Sequence, residues 1–400
     1  MLQGLPKMHP KCLYGLWGIP STWKPLLLDL SVETFMKDYT LTGAIYMPIA
    51  QQMKIRTRGI QIGTLPTGKN NCLTDVAGVR VGHKTLDEAL ENGEYIATGV
   101  TAILPHDGNP FREKVAAASY VINGFGKTTG LVQLDELGVL ESPIMLTNTF
   151  SVPAVTEGAL RWLLDHTAEI GDTTGTVNIV TGECNDSRLN SIRELFVTSN
   201  HAIQAIERAS TAPSPEGAVG AGKGMVCFGY KGGIGTSSRL VELEGVSKSF
   251  SVGCLVLSNF GKREEFAIER YSRVISDSQT EAPEPADGSI MIVLATDAPL
   301  DGRQLKRIAK RAGVGLARTG SHYSNGSGDI VIAFSTAHKF QHDAEYVEES
   351  VSALRDSHPI MNQLFQATAE ATEEAILNSL SQAVETTGRK GLTVYPLPFA

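Results

Sequence analysis

A glycine–serine pair at the end of a polar linker has the clearest chemical potential in this chain. Gly288 and Ser289 stand where the acidic, proline-rich stretch Asp277–Gly288 meets the apolar run Ser289–Leu294. A serine hydroxyl that attacks the preceding carbonyl carbon forms an ester by an N-to-O acyl shift, and hydrolysis of the ester leaves the serine as a new N-terminus. Glycine suits the preceding position because it tolerates strained backbone torsions. The alternative is that Ser289 only begins a strand.

The amine that such a cleavage exposes would be a suitable general base. An α-amino group has a pKa of about 7.7–8.0, whereas the lysine side chain has a pKa of about 10.4. A far larger fraction of α-amine is therefore neutral near pH 7. Ser289 would then carry both the nucleophile and the base of a hydrolase on one residue.

Two glycine-rich stretches resemble a phosphate-binding loop but lack essential parts of it. Gly217–Gly224 matches G-x-x-x-x-G-K, yet Gly224 stands where a hydroxyl is needed for magnesium. Gly126–Thr128 reads G-K-T, yet Val121 replaces the first glycine. The chain has neither G-x-S-x-G nor H-E-x-x-H. A Ser-His-Asp arrangement stays open, because its members can lie far apart in sequence.

Composition narrows the class of protein. The 400 residues carry a formal net charge of −8 with both signs spread along the chain, which argues against a nucleic-acid partner. Five widely spaced cysteines without a C-x-x-C pair indicate neither a disulfide framework nor a zinc site. We therefore expect buried, reduced thiols, no metal and a cytoplasmic protein. No apolar run reaches the length of a membrane span.

The elements that must position Ser289 read as one α/β domain. Residues 1–55 have no clear period and are interpreted as an extension of unknown role, and residues 56–400 as the domain. Strand-like runs alternate with helical patterns, among them a long amphipathic helix predicted over Leu189–Ala209. After the strand that starts at Ser289, Asp301 is predicted to cap a helix, and a strand follows over Ile330–Phe334.

Seven stretches in order carry a family resemblance that spans about residues 56–396. They are TDVAGVRVGH (Thr74–His83), TGVTAILPH (Thr98–His106), NGFGKTTG (Asn123–Gly130), GECNDSRLN (Gly182–Asn190), KGGIGTSSR (Lys231–Arg239), VGCLVLSNFG (Val252–Gly261) and GSIMIVLATDAPL (Gly288–Leu300). In these the chain resembles the self-processing serine aminopeptidases that include the L-aminopeptidase/D-amidase-esterase and the β-peptidyl aminopeptidases.

The resemblance implies a fold, an activity and an assembly. The fold is a four-layer αββα sandwich of the N-terminal-nucleophile hydrolase type, shared with ornithine acetyltransferase. Cleavage would give an α chain, residues 56–288, and a β chain, residues 289–400, which assemble as a tetramer of αβ heterodimers. The implied activity needs no cofactor and removes N-terminal residues from short peptides, amides or esters that have a free amine.

The resemblance also implies roles at the reacting centre. Ser289 corresponds to the nucleophile, and Asn259 to an asparagine whose side-chain amide helps to form the oxyanion hole. Ser327 and Asp329 correspond to a Ser-Gly-Glu pair that orients the nucleophile and its amine, although Asp329 is one methylene shorter than the family's glutamate. Without the resemblance, Asn325–Asp329 reads as a polar turn.

Substrate recognition follows from two further positions. Glu183 corresponds to the carboxylate that binds the substrate's free amino group; the alternative is that it caps a helix near Arg188 or braces the turn Asn185–Ser187. Asn185 stands where one branch of the family has tyrosine and the other leucine, so the preferred N-terminal residue cannot be inherited from either branch.

Two alternatives to the aminopeptidase remain open at this point. One is an acyltransferase of the ornithine acetyltransferase type, although that family's nucleophile is threonine and residue 289 is serine. The other is an uncleaved pseudoenzyme that acts as a binding protein. Intact mass distinguishes this last alternative from either enzyme, because only the enzymes are cut.

Overall fold

The computed structural model describes residues 52–242, 249–271 and 288–399. The strands, in chain order, are β1 (Arg80–Ala89), β2 (Tyr95–Leu104), β3 (Glu113–Gly124), β4 (Val139–Leu140), β5 (Ile144–Asn148), β6 (Val180–Cys184), β7 (Val226–Cys227), β8 (Tyr230–Lys231), β9 (Gly233–Glu242), β10 (Ser249–Asn259), β11 (Ser289–Thr296), β12 (Gly328–Gln341), β13 (Thr386–Thr387) and β14 (Thr393–Val394). The α-helices are α1 (Leu131–Leu137), α2 (Val152–His166), α3 (Ser199–Glu207), α4 (Gly302–Arg318) and α5 (Ile360–Ser381). Residues 1–51 of the predicted extension, and the predicted linker up to residue 287, lie outside the described residues.

Two sheets form the centre of the domain. The smaller sheet has the strand order β1-β2-β5-β6, and the larger has the order β4-β3-β12-β11-β10-β9. Neighbouring strands are antiparallel except for β5 with β6 and β11 with β12, which are parallel. As a result, the end of β10 and the beginnings of β11 and β12 meet at one edge of the larger sheet.

Side-chain packing divides the domain into four layers. Along β11, Ile290 and Ile292 pack with residues of α4 and α5, whereas Met291 and Val293 pack in the core between the two sheets. The outer face of the smaller sheet packs on α2 and α3 in the same way. The order helices, sheet, sheet, helices confirms the predicted αββα sandwich. Both faces of β11 are covered, which explains its uninterrupted apolar sequence.

The elements around Ser289 agree with the sequence prediction. The strand predicted over Ser289–Leu294 is confirmed as β11, and the strand over Ile330–Phe334 lies within β12. Asp301 caps α4, where its carboxylate accepts a hydrogen bond from the backbone N–H of Gln304 at 2.6 Å. Strand and helix starts of this kind are specified by local sequence.

The helix predicted over Leu189–Ala209 is wrong. Only Ser199–Glu207 is α-helical, and a short 3₁₀ turn precedes it. Asn190 lies outside the helix, next to the smaller sheet, where its side chain accepts a hydrogen bond from the backbone N–H of Ala97 in β2. Leu195 has a left-handed backbone with φ of 48°, a conformation that a continuous helix cannot contain. Tertiary bonds therefore override the amphipathic pattern.

The segment just before residue 60 is anchored on α5. Ile55 is fully buried, and its N–H donates to the side chain of Asn378 in α5. Arg56 pairs with Glu374 at 3.0 Å, and Glu374 pairs on its other side with the fully buried Arg239 at 2.6 Å. This segment therefore forms part of the helical layer behind the larger sheet.

Candidate active site

Ser289 lies at the edge of the larger sheet with its side chain turned inward. It is directly opposite Asn259 in the pairing of β11 with β10, so the two side chains project from the same face of the sheet. That face continues through Met291 into the core between the sheets. The Ser289 hydroxyl oxygen accepts a hydrogen bond from the backbone N–H of Gly328 at 3.2 Å. Because the oxygen accepts this bond, its own O–H remains available to donate.

Only glycine fits the position before Ser289. A Cβ atom on Gly288 would lie 2.0 Å from the carbonyl oxygen of Asn259 and 2.7 Å from the Cα atom of Phe260. Both of these are backbone atoms at the end of β10, which cannot move aside as a flexible side chain could. Gly288 thus brings the Gly288–Ser289 peptide bond close to the Asn259 backbone.

The side-chain amide of Asn259 is held from both ends. Its oxygen accepts a hydrogen bond from the backbone N–H of Val226 at 2.9 Å, and its nitrogen donates to the carbonyl oxygen of Asn185 at 2.8 Å. A carboxamide nitrogen has two hydrogens, so one N–H remains for a further acceptor. A neutral N–H donor of this kind can stabilise an oxyanion.

Ser327 and Asp329 form a hydrogen-bonded pair beside Ser289. The Ser327 hydroxyl donates to one oxygen of Asp329 at 2.7 Å, so the shorter aspartate reaches its partner. Asp329 pairs with Ile290 in the register of β12 with β11. The other carboxylate oxygen of Asp329 is buried and has no hydrogen-bond partner among the described residues. An unpartnered buried oxygen is costly, and it is available to a further hydrogen-bond donor.

The charge of Asp329 depends on its surroundings. Burial raises the pKa of the Asp329 carboxyl to about 6, and the hydrogen bond from Ser327 opposes this shift only in part. Burial disfavours the charged form of a carboxyl because water no longer solvates it. A nearby ammonium group would lower this pKa again.

Glu183 is the last residue but one of β6, and its carboxylate is buried and held by two donors. One oxygen accepts a hydrogen bond from the backbone N–H of Lys127 at 2.9 Å, and the other accepts one from the Thr149 hydroxyl. The turn that follows is closed by the side chain of Asn185, which accepts from the N–H of Ser187 at 3.0 Å. Because no helix begins near Arg188, neither structural alternative for Glu183 describes its contacts.

Gly126 lies between Glu183 and Gly328, the residue that binds the Ser289 hydroxyl. A Cβ atom there would lie 3.4 Å from the Cα atom of Gly328 and 3.7 Å from a carboxylate oxygen of Glu183. Gly328 also binds the Ser289 hydroxyl through its N–H. The Glu183 carboxylate therefore lies beside Gly126, the Ser289 hydroxyl lies beside Gly328, and the two glycines contact each other. The structure thereby brings together Ser289, Asn259, Ser327, Asp329 and Glu183.

The side chain of Asn185 is exposed, but its carbonyl group is part of the site through Asn259. Asp186 anchors the same turn from within the protein, where it accepts hydrogen bonds from Thr98 and Asn190. Burial raises the pKa of Asp186 to about 7, and these bonds oppose the shift. The buried carboxyl group of Asp186 thus holds the turn in which the carbonyl oxygen of Asn185 accepts the hydrogen bond from the Asn259 amide.

Some functional groups had little or no sequence signal. The stretch NGFGKTTG contributes Gly126, the Lys127 N–H and Asn123, whose side chain donates to the carbonyl oxygen of Ser324 beside the Ser327 turn. The family resemblance includes this stretch but implies no role for its individual residues. Thr149 had no signal at all, because its bond to Glu183 depends on the pairing of β5 with β6.

Other candidate chemistry does not form a site. The glycines of Gly217–Gly224 are required by close packing; for example, a Cβ atom on Gly222 would lie 2.5 Å from the backbone nitrogen of Ile234. His83 binds Ser214 at 3.0 Å, but its other ring nitrogen binds Thr101 rather than a carboxylate. Within the described ranges no three His, Cys, Asp or Glu side chains could hold a metal ion, and no helix could cross a membrane.

Comparisons of sequence agree with this geometry. The sequence model of peptidase family S58 matches residues 71–394. The beta-peptidyl aminopeptidase BapA of Sphingosinicella microcystinivorans is 41% identical over 371 residues, which cover 88% of this chain and 91% of that protein. The similarity therefore extends over nearly the whole length of both chains.

Solved structures show the same fold. The PH0078 protein from Pyrococcus horikoshii OT3 superimposes with a TM-score of 0.80 at 49% identity, covering 86% of this chain and 96% of its own. The L-aminopeptidase D-Ala-esterase/amidase from Ochrobactrum anthropi, described as a prototype for the serine aminopeptidases and a variant of the Ntn hydrolase fold, gives a TM-score of 0.76 at 33% identity, with coverage of 86% and 95%. Fold and sequence therefore point to the same class of enzyme.

Proposed function

Since the chain belongs to peptidase family S58 and is an N-terminal-nucleophile aminopeptidase, we propose that Ser289 is its nucleophile and that the enzyme creates it by cutting the Gly288–Ser289 bond. One observation carries this proposal. Ser289 begins a buried strand opposite Asn259, with its oxygen bound by the N–H of Gly328, after a residue that only glycine can occupy.

Self-cleavage begins when the Ser289 hydroxyl oxygen attacks the carbonyl carbon of Gly288. A carbon–oxygen bond forms, the carbon–nitrogen peptide bond breaks, and the hydroxyl proton passes to the leaving nitrogen. Hydrolysis of the resulting ester releases the carboxylate of Gly288 and regenerates the Ser289 hydroxyl. The close approach of Gly288 to the Asn259 backbone supports this step, because it keeps the reacting bond next to residue 259, whose side-chain amide projects from the same face of the sheet as Ser289 and is suited to bind the oxyanion.

The new α-amine of Ser289 then acts as general base for substrates. It takes the proton of its own hydroxyl as that oxygen attacks the substrate's carbonyl carbon, and it gives this proton to the leaving amine or alcohol as the bond from the carbonyl carbon to that group breaks. Water then attacks the acyl-enzyme ester, releases the acid and regenerates the Ser289 hydroxyl. The carboxyl group of Asp329, with one unpartnered oxygen, and the Ser327 hydroxyl are suited to orient this amine. The free N–H of Asn259 is suited to bind the oxyanion.

Glu183 is proposed to recognise the substrate's ammonium group. Each of its oxygens already accepts one hydrogen bond, and a carboxylate oxygen can accept a second. A blocked amine would leave this buried charge unpaired, which explains a preference for free N-termini. We propose short peptides, amides or esters as substrates. The relative named a beta-peptidyl aminopeptidase extends the proposal to β-amino acid residues, and parallel α-alanyl and β-alanyl anilide assays would test this.

Replacing Glu183 by Gln tests this function, because the change keeps the shape and removes the charge. We expect self-cleavage to continue, since the Gly288–Ser289 bond has no free amine to recognise. Turnover of alanine p-nitroanilide should fall about thirtyfold or more in kcat/KM, as loss of one partner of a desolvated charge pair costs about 2–5 kcal/mol. The N-acetylated anilide should be a poor substrate for either protein.

The matched control for this experiment is Glu207→Gln, which removes an exposed carboxylate at the end of α3. That variant should have the activity of the unchanged enzyme. If Glu183→Gln retained full kcat/KM on the free-amine anilide, Glu183 would not bind the substrate's amine. If it blocked self-cleavage instead, its role would be structural.

We also propose a tetramer of αβ heterodimers in a reducing, cytoplasmic compartment. Large exposed apolar side chains support a subunit interface, among them Val132 and Phe125, which are 88% and 59% exposed. Four buried cysteines without a disulfide support the compartment: Cys72, Cys184, Cys227 and Cys254. Light scattering coupled to gel filtration would measure the mass of the assembly.

A further inference from the structure

Lys231 is a fully buried lysine whose bonding partners are unusual. Its ammonium group donates to three backbone carbonyl oxygens, those of Gly222, Met225 and Gly232, at 2.9, 2.9 and 2.8 Å. These three bonds use all of its donors. Burial lowers the pKa of Lys231 well below its ordinary value, but only the charged ammonium form has enough hydrogens to satisfy all three carbonyl oxygens, and hydrogen bonds to the charged form favour it. Burying a lysine side chain costs free energy of folding, and the groups that Lys231 binds indicate which part of the structure it stabilises.

The three carbonyl groups belong to the base of a tight hairpin formed by β7 and β8. The hairpin turns through Phe228 and Gly229, which have φ of 51° and 72°. The N–H of Phe228 donates to the carbonyl oxygen of Phe260 at 2.7 Å, so the hairpin lies against the residue that follows Asn259. Lys231 therefore fixes the hairpin at the end of β10.

One peptide group connects Lys231 directly to the proposed oxyanion donor. The carbonyl oxygen of Met225 accepts from Lys231, and the N–H of Val226 donates to the side-chain oxygen of Asn259. These two groups belong to the same planar peptide unit. A cation on its oxygen fixes the plane and polarises the N–H, which strengthens the bond to Asn259.

We propose that Lys231 is a positioning residue for the reaction, because through the Met225–Val226 peptide group it holds the side-chain oxygen of Asn259 on the Val226 N–H and so keeps the amide nitrogen free to donate on the face of the sheet that Ser289 shares. Without that bond the amide could rotate and direct its oxygen at the reacting centre, where a lone pair would repel the oxyanion. This inference rests on the proposed role of Asn259 and adds a residue that does not itself touch the substrate.

A double-mutant cycle tests the coupling. Asn259→Ala should lower kcat on alanine p-nitroanilide by about 10²–10³-fold, the usual effect of losing an oxyanion donor. Lys231→Met, which keeps the length and removes the donors, should lower kcat by about tenfold or more and change KM by less than about threefold. In the Asn259→Ala background, Lys231→Met should cause almost no further loss, because the amide that it positions is gone.

The matched control lies in the same loop. Lys223 pairs with Asp87 at 2.7 Å, and Lys223→Met should leave kcat within about twofold of the unchanged enzyme. If Lys231→Met proves insoluble, Lys231→Gln replaces it in the double-mutant cycle. Glutamine keeps two N–H donors on a shorter side chain, and we expect kcat to fall with this variant as well, and to fall almost no further in the Asn259→Ala background.

The outcomes separate the two proposals. If Lys231→Met lowers kcat by the same factor with and without Asn259, or leaves kcat unchanged in the single variant, the positioning role of Lys231 is overturned. If Asn259→Ala itself leaves kcat unchanged, the proposed function of Asn259 fails and this inference fails with it. A loss that disappears in the Asn259→Ala background supports both.

Discussion

Asp329 is the residue whose electrostatic surroundings would change most directly if the chain is cut before Ser289. In the uncut chain, one of its oxygens binds Ser327 and the other is buried without a partner among the residues that the structure describes. Cleavage would create an ammonium group at Ser289, on the strand that pairs with Asp329's own. The new cation would stabilise the ionised carboxylate, so the site is better satisfied electrostatically in the cut enzyme than in the precursor.

The uncut precursor should therefore lose stability as the pH rises through the acidic range. The pKa of Asp329 is about 6 in the folded chain and about 3.9 in an unfolded chain. Between these values the unfolded state releases the proton first, so the folded state is most stable below about pH 4 and loses stability up to about pH 6. Ser289→Ala, which cannot be cut, allows the measurement.

Urea unfolding of Ser289→Ala and of Ser289→Ala with Asp329→Asn at pH 4.5 and 7.5 checks this expectation. Relative to the asparagine variant, the aspartate variant should lose about 2 kcal/mol of unfolding free energy between these two pH values. Identical pH dependence in the two proteins would show that Asp329 does not titrate as described.

At the scale of elements, the site is an edge at which three strands meet. Asn259 ends β10, Ser289 begins β11 and Gly328 begins β12. The smaller sheet contributes Glu183 from the end of β6. The sandwich thus supplies rigid positions, and the exact fit of β11 against β10 depends on the small size of Gly288.

Gly288→Ala should slow self-cleavage. The added methyl group would lie 2.0 Å from the Asn259 carbonyl oxygen, so the start of β11 must move away from Asn259. A displacement of about 1 Å at a reacting centre costs on the order of a hundredfold in rate. Conversion of precursor in a cell-free translation reaction, followed by intact mass, measures this rate.

Gly175→Ala is the control for that experiment, because the space around Gly175 is open. It should mature at the rate of the unchanged chain. If Gly288→Ala matured equally fast, the close contact at Gly288 would have no part in the cleavage.

Elements specified by local sequence were predictable. The apolar run after Ser289 and the cap at Asp301 both lie where the sequence indicates. The sequence could not predict that the helical pattern over Leu189–Ala209 forms a helix only in its last part, because a hydrogen bond to a distant strand interrupts it. The donors to Glu183 lie 34 and 56 residues away in sequence, so only the assembled fold reveals them. The remaining site residues were accessible through the family resemblance, not through their spacing.

At the scale of the whole molecule, the boundary of the domain lies before residue 60. Lys54 pairs with Glu216 at 2.7 Å, and Arg56 pairs with Glu374. Both carboxylates are buried. Without Lys54, Glu216 would lose its ion pair, and without Arg56, Glu374 would have to share Arg239 with Glu370, so excess negative charge would remain inside the protein. The segment is therefore required by the domain even though the family match begins at residue 71.

A chain that starts at Met53 should fold, cut itself and hydrolyse substrate like the full chain. A chain that starts at Ile60 is the matched comparison, because it lacks Lys54, Ile55 and Arg56. We expect the shorter chain to lose about 3–5 kcal/mol of stability or to be insoluble. Equal thermal stability of the two would show that the segment is dispensable, and failure of the Met53 chain would show that residues before it are needed.

The central claim is that the enzyme cuts itself to expose Ser289, and N-terminal sequencing of the purified active protein tests it most directly. The account predicts a C-terminal fragment that begins Ser-Ile-Met-Ile, as residues 289–292 read. Active protein that consists only of the intact chain, or of a fragment with any other N-terminus in this region, would contradict it.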